Sequence, residues 1–131
     1  MGARYHHVGI AVFDIVAAKL FYETLGYVPS NVIYDPVQNV YICFLRHESM
    51  PLLELLQPKD ESSPVSRTLR TNGVTPYHIC YEVDSLEESL AELRKQRFIM
   101  VKKPSQAVAL ENKRVCFLFN KDVGLIELVE K

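Results

Sequence analysis

Two stretches of this chain repeat each other 71 residues apart. His7-Val8-Gly9-Ile10-Ala11-Val12 and His78-Ile79-Cys80-Tyr81-Glu82-Val83 both read His, β-branched, small, large, any residue, Val. An internal repeat constrains the fold more than any composition figure, because both copies must adopt the same local structure. Each hexapeptide runs into a helix start. Asp14 is placed to cap a helix over Ile15 to Leu25, with Gly26 as its stop. Ser85-Leu86-Glu87-Glu88 forms a capping box for a second helix over Leu86 to Gln96, whose apolar stripe is Leu86, Leu90 and Leu93.

Strand-like runs follow each helix. In the first half they cover about Val28 to Tyr34, Val40 to Arg46 and Leu52 to Leu56. In the second half they cover about Phe98 to Lys102, Arg114 to Phe119 and Gly124 to Val129. β-Branched and aromatic residues bounded by Pro, Asn, Asp and Gly carry these assignments. The expected order is βαβββ twice, an α+β fold. The modules span residues 5–58 and 77–130, joined by a linker at 59–76 within one domain. Ser63 and Pro64 open a short linker helix reaching about Thr71, with Ser63 as cap and Pro64 at the first helical position.

Composition removes several function classes. Among 131 residues, 48% are hydrophobic and 24% charged, the balance of a soluble globular domain. Fifteen basic and sixteen acidic side chains give a net charge of −1, so no bulk attraction to nucleic acid is expected. No apolar run reaches the roughly 18 residues a membrane span needs. The start of the chain lacks an apolar signal core, and a cytoplasmic location is expected. Cys43, Cys80 and Cys116 lie in apolar runs without metal-type spacing and read as buried thiols.

The chemistry sits in four residues. Glu54 stands in Leu52-Leu53-Glu54-Leu55-Leu56 and Glu127 in Leu125-Ile126-Glu127-Leu128-Val129. Side chains alternate faces along a strand, and both faces here are apolar, so both carboxylates are expected to be buried. A lone buried carboxylate is costly. Each half pairs its Glu with a His on its first strand, at 47 residues for His7 and Glu54 and 49 for His78 and Glu127. If the halves pack with pseudo-two-fold symmetry, two imidazoles and two carboxylates converge and neutralise one divalent cation. Such a mixed set suits Zn²⁺, Ni²⁺, Co²⁺, Fe²⁺ or Mn²⁺ and leaves two octahedral positions for water or substrate. His6 competes with His7 but points to the other face; His7 matches His78 in the repeat. His47, between Arg46 and Glu48, reads as a turn residue.

With these residues in place, the chain resembles the vicinal oxygen chelate superfamily of glyoxalases, bleomycin-resistance proteins and extradiol dioxygenases. The branch it most resembles is that of the methylmalonyl-CoA epimerases. The resemblance rests on the two His hexapeptides, Phe21-Tyr22 with Leu25-Gly26, Glu54-Leu55-Leu56-Gln57-Pro58, Asp60-Glu61-Ser62-Ser63-Pro64 and Glu127-Leu128-Val129-Glu130. It implies a glyoxalase-like fold, two βαβββ modules forming a curved mixed sheet around a metal site. His7, His78 and Glu127 would be metal ligands, and Glu54 would complete the shell. It also implies a small-molecule substrate, an acyl-CoA or a glutathione thioester. One departure stands out. The epimerases resemble Pro-Glu-x-Gly-Val before their third strand, and that Glu is an acid/base group. This chain has Asp35-Pro36-Val37-Gln38-Asn39-Val40, which puts Val37 at the acid's place. Asp35 lies two residues away, about 6–7 Å along a strand.

The chemistry implied is removal of a proton α to a thioester or ketone carbonyl, with the metal stabilising charge on the carbonyl oxygen. Glu127 and Glu54 are the candidate catalytic bases. The leading expectation is a metal-dependent epimerase or isomerase of the methylmalonyl-CoA type. Lactoylglutathione lyase, which uses a His/Glu/His/Glu set, is the alternative enzyme. A ring-cleaving dioxygenase and a non-enzymatic drug-binding protein are further alternatives. No separate organic cofactor is implied. Exposed strand edges suggest a homodimer. Lys102, Lys103, Lys113 and Arg114 read as solvated surface charge rather than phosphate ligands.

Overall fold

A computed structural model describes residues 1–131. The architecture is α+β, with a mixed sheet of ten strands and three helices. The chain divides into two compact units, His7–Tyr77 and Met1–His6 together with His78–Lys131. No helix is long and apolar enough to cross a membrane.

In the first unit, β1 (Ala3–Ala11) enters at His7 and leads through Asp14 to α1 (Ile15–Thr24). Then come β2 (Val28–Pro29), β3 (Ile33–Asp35), β4 (Val40–Arg46), β5 (Leu53–Pro58) and α2 (Pro64–Asn72). The strand order is β2-β4-β5-β1, with β3 also beside β4; β1 and β5 run parallel and the other pairs antiparallel. The second unit has β6 (Thr75–Val83), α3 (Leu86–Lys95), β7 (Ile99–Met100), β8 (Ser105–Ala107), a 3-10 turn at Val108–Leu110, β9 (Lys113–Asn120) and β10 (Gly124–Glu130). Its order is β6-β10-β9-β7, with β8 beside β9; β6 and β10 are the parallel pair.

The caps form as the residue types dictate. Asp14 accepts from the backbone N–H groups of Val16 and Ala17, Ser63 from Val65 and Ser85 from Glu88. A second tether repeats in both units. Gln57 Oε1 accepts the Ile15 N–H at 2.8 Å, and Glu130 Oε2 accepts the Leu86 N–H at 2.8 Å. Each ties the start of a helix to the last strand of its unit and satisfies one of the helix's unpaired donors. Gly26 ends α1 with φ +93°, and a Cβ there would meet His47 Nε2 at 3.0 Å. Both the left-handed backbone and the close ring demand glycine.

α1 and α3 each cover one face of their own unit's strands. Ile15 packs with Cys43, Leu45 and Leu55; Leu86 and Leu93 pack with Cys116, Leu118 and Leu128. By strand alternation the intervening residues, Phe44 and Glu54 in one unit and Phe117 and Glu127 in the other, face away from the helix.

The strand count corrects the expected βαβββ arrangement in two places. The run Val28 to Tyr34 is not one strand but β2 and β3. Pro29 has no N–H to donate, and Ser30 replaces a ladder carbonyl with its hydroxyl: Phe44 N–H donates to Ser30 Oγ at 2.9 Å. In the second unit the run Phe98 to Lys102 shortens to β7, and β8 forms at Ser105-Gln106-Ala107 against Val115, Arg114 and Lys113.

Candidate active site

The same register builds both halves of the site. On β1 and β5, Gly9 lies opposite Glu54; on β6 and β10, Cys80 lies opposite Glu127. In each case the His stands two residues before the opposed position, so it shares a face with the Glu and lies diagonal to it. His7 Nε2 is 3.2 Å from Glu54 Oε1, and His78 Nε2 is 3.2 Å from Glu127 Oε1. The relative exposures are 0% for His7, 4% for Glu54, 4% for His78 and 2% for Glu127. The burial expected for both carboxylates is therefore present.

A ring completes each pair. Phe44 lies directly opposite Glu54 in the β4–β5 ladder, and Phe117 directly opposite Glu127 in the β9–β10 ladder. The Phe44 ring meets His7 at 5.4 Å between centroids and 84° between planes; Phe117 meets His78 at 5.3 Å and 88°. Each unit thus carries a His, a Glu and a Phe on three adjacent strands. These phenylalanines are not marked as site residues by sequence alone. Their signal was present: each stands ten residues before its Glu.

Each pair offers one buried imidazole and one buried carboxylate as candidate metal ligands. The donors fit a divalent ion. Neutral imidazole nitrogens and anionic carboxylate oxygens are what such ions take.

Most of the other candidates fall elsewhere. His6 is half-buried beside His7 on β1. His47 lies in the turn after β4, where Nδ1 accepts the Ser49 N–H at 3.0 Å and Nε2 faces Leu25 O at 3.1 Å. Val37 is 39% exposed in the β3–β4 turn. Asp35, the nearby carboxylate, is 2% exposed and is committed to that turn. It accepts from Val37 N–H at 2.8 Å, Gln38 N–H at 3.3 Å and Gln38 Nε2 at 3.1 Å. Arg114 is held by Glu130 at 3.0 Å and Glu87 at 2.8 Å, which raise its pKa while Arg114 holds Glu87 below the ordinary carboxylate range. Lys102 and Lys103 are exposed and Lys113 is half-buried. All three cysteines are buried free thiols.

Comparison with known proteins places this geometry in a family. The profile described as "Glyoxalase/Bleomycin resistance protein/Dioxygenase superfamily" matches residues 6–117. This chain belongs to that superfamily. Human mitochondrial methylmalonyl-CoA epimerase is 33% identical over 129 residues, which cover 95% of this chain and 72% of the human protein. The Mycobacterium tuberculosis methylmalonyl-CoA epimerase structure superposes with a TM-score of 0.84 at 30% identity, covering 96% of this chain and 86% of the other. A variant of the Streptomyces coelicolor enzyme, in complex with 2-nitronate-propionyl-CoA, superposes with a TM-score of 0.86 at 27% identity, covering 98% and 96%. The glyoxalase-like fold expected from the sequence is thus present, and several of its relatives are methylmalonyl-CoA epimerases.

Proposed function

We propose that this protein is a metal-dependent epimerase of the methylmalonyl-CoA type, in which His7, Glu54, His78 and Glu127 hold one divalent ion. The observation that carries the reading is the duplicated His–Glu pair, buried at 3.2 Å in both units of an epimerase relative. A bound divalent ion would stabilise negative charge developing on the substrate's carbonyl oxygen. The substrate class is an acyl-CoA thioester, the class represented by the ligand of the Streptomyces coelicolor relative.

The chain's own residues account for the proton. One of Glu127 and Glu54 enters as the carboxylate and takes the proton from the α-carbon, and the other enters as the neutral acid and gives its own proton to the opposite face of that carbon. One turnover leaves the two protonation states exchanged, and proton transfer to and from water resets them. Val37 has no proton to give, and Asp35 is occupied by three donors in its turn. We therefore assign the acid/base pair to the two glutamates. A homodimer and a cytoplasmic location belong to the same proposal; light scattering and cell fractionation test them.

The presence of Glu at both positions also suits lactoylglutathione lyase, the second reading. Two assays on the metal-loaded protein separate them. With methylmalonyl-CoA in D2O, the epimerase reading expects exchange of the α-proton and mixing of the two epimers. Glu127→Gln should slow exchange by about 100-fold or more. Thioester formation from a methylglyoxal–glutathione hemithioacetal, with no exchange on acyl-CoA, would replace the first reading by the second.

A further inference from the structure

We propose that Phe44 and Phe117 are positioning residues that set the planes of the two metal-directed imidazoles, His7 and His78. The inference rests on the metal reading above. It starts from a torsional fact: the final side-chain torsion of histidine is broad and roughly two-fold, so a strand backbone does not fix where the ring nitrogens point. Packing must do so. Each imidazole meets one phenylalanine nearly at right angles, at 84° and 88°, the arrangement two rings favour electrostatically.

The placement is not accidental to one strand. Phe44 and Phe117 occupy equivalent ladder positions, each opposite the glutamate that faces the same imidazole. Their backbones are therefore locked to the carboxylate by register, and their rings to the imidazole by contact. One phenylalanine in each unit orders both partners of its pair. The two rings differ in their surroundings. Phe44 is buried and has the Arg46 guanidinium 6.0 Å from its centroid, while Phe117 is half-buried. The Phe117 position therefore tolerates substitution better and is the sharper test.

The probe is Co²⁺ added to the metal-free full chain, followed by calorimetry and by the visible ligand-field spectrum. Phe44→Leu and Phe117→Leu remove a ring and keep apolar bulk; Phe117→Tyr keeps the ring; Phe119→Leu changes an exposed phenylalanine on the same strand. Both site leucine variants should weaken Co²⁺ binding by about ten-fold and shift the spectrum at saturation. Phe117→Tyr should restore both, and Phe119→Leu should match wild type. A folded Phe117→Leu protein with wild-type affinity and spectrum would overturn the proposal, whether or not Phe44→Leu folds. If wild type takes up no Co²⁺, the metal reading fails by itself. The positioning is then read from the side-chain ¹⁵N resonances of His7 and His78. They should broaden or average in the leucine variants, and unchanged resonances would overturn it.

Discussion

Glu54 Oε1 and His7 Nε2 stand 3.2 Å apart on neighbouring parallel strands, and neither residue is more than 4% exposed. The pair is set by register: Gly9 opposes Glu54, and His7 is one same-face step away. The same offset recurs for His78 and Glu127. Such a pair is a poor device for stability, because burying ionisable groups costs what their attraction returns. In metal-free protein, His7→Ala should lower unfolding stability by about 1–3 kcal/mol by stripping a buried carboxylate of one partner. Replacing both His7 and Glu54 by leucine should restore most of that loss. Urea unfolding of the single and double variants measures it, and a double variant less stable than His7→Ala would contradict the reading.

The carboxylate of Glu130 serves two ends at once. It accepts the Leu86 N–H at the start of α3 and pairs with Arg114. Glu130→Ala should cost about 1 kcal/mol or more, the scale of a lost helix cap. Glu130→Gln keeps an acceptor for Leu86 and weakens only the partly exposed ion pair, so its cost should be smaller. Thermal melts of the two variants rank them.

Burial pushes the Cys116 thiol up to about 11, and the same cause raises Cys43. Folding therefore favours the protonated thiol. That stability is fully present below the unfolded value near 9 and is lost as pH rises toward about 11. Native protein at pH 8 should react with a thiol reagent at Cys43 and Cys116 only on the timescale of unfolding. Mass spectrometry after timed alkylation, with and without denaturant, checks this; rapid native labelling of Cys116 would contradict it.

How far the sequence could be read depended on what each residue does. His7 and His78 were legible because a repeat aligned them, and Glu54 and Glu127 because a carboxylate among leucines on both strand faces has no solvent side. The caps at Asp14, Ser63 and Ser85 were legible because cap chemistry is local. β8 was not, since Ser105-Gln106-Ala107 has no β-branched or aromatic residue. It is a strand only because β9 lies beside it. Ser30 breaking the edge between β2 and β3 needed the position of Phe44, which is distant in sequence. Phe44 and Phe117 went unnoticed for the opposite reason. A phenylalanine in an apolar strand reads as core, and only the ladder shows that it faces an imidazole rather than the helix-side core.

Metal content is the most direct test of the account's central claim, that each unit supplies one His–Glu pair to a single divalent ion. Elemental analysis of the untagged protein, after purification and again after loading and desalting, should find about one divalent ion per chain. His78→Ala and Glu127→Ala should each lose it while remaining folded. A wild-type protein that retains no metal after loading, or variants that keep it in full, would contradict the claim.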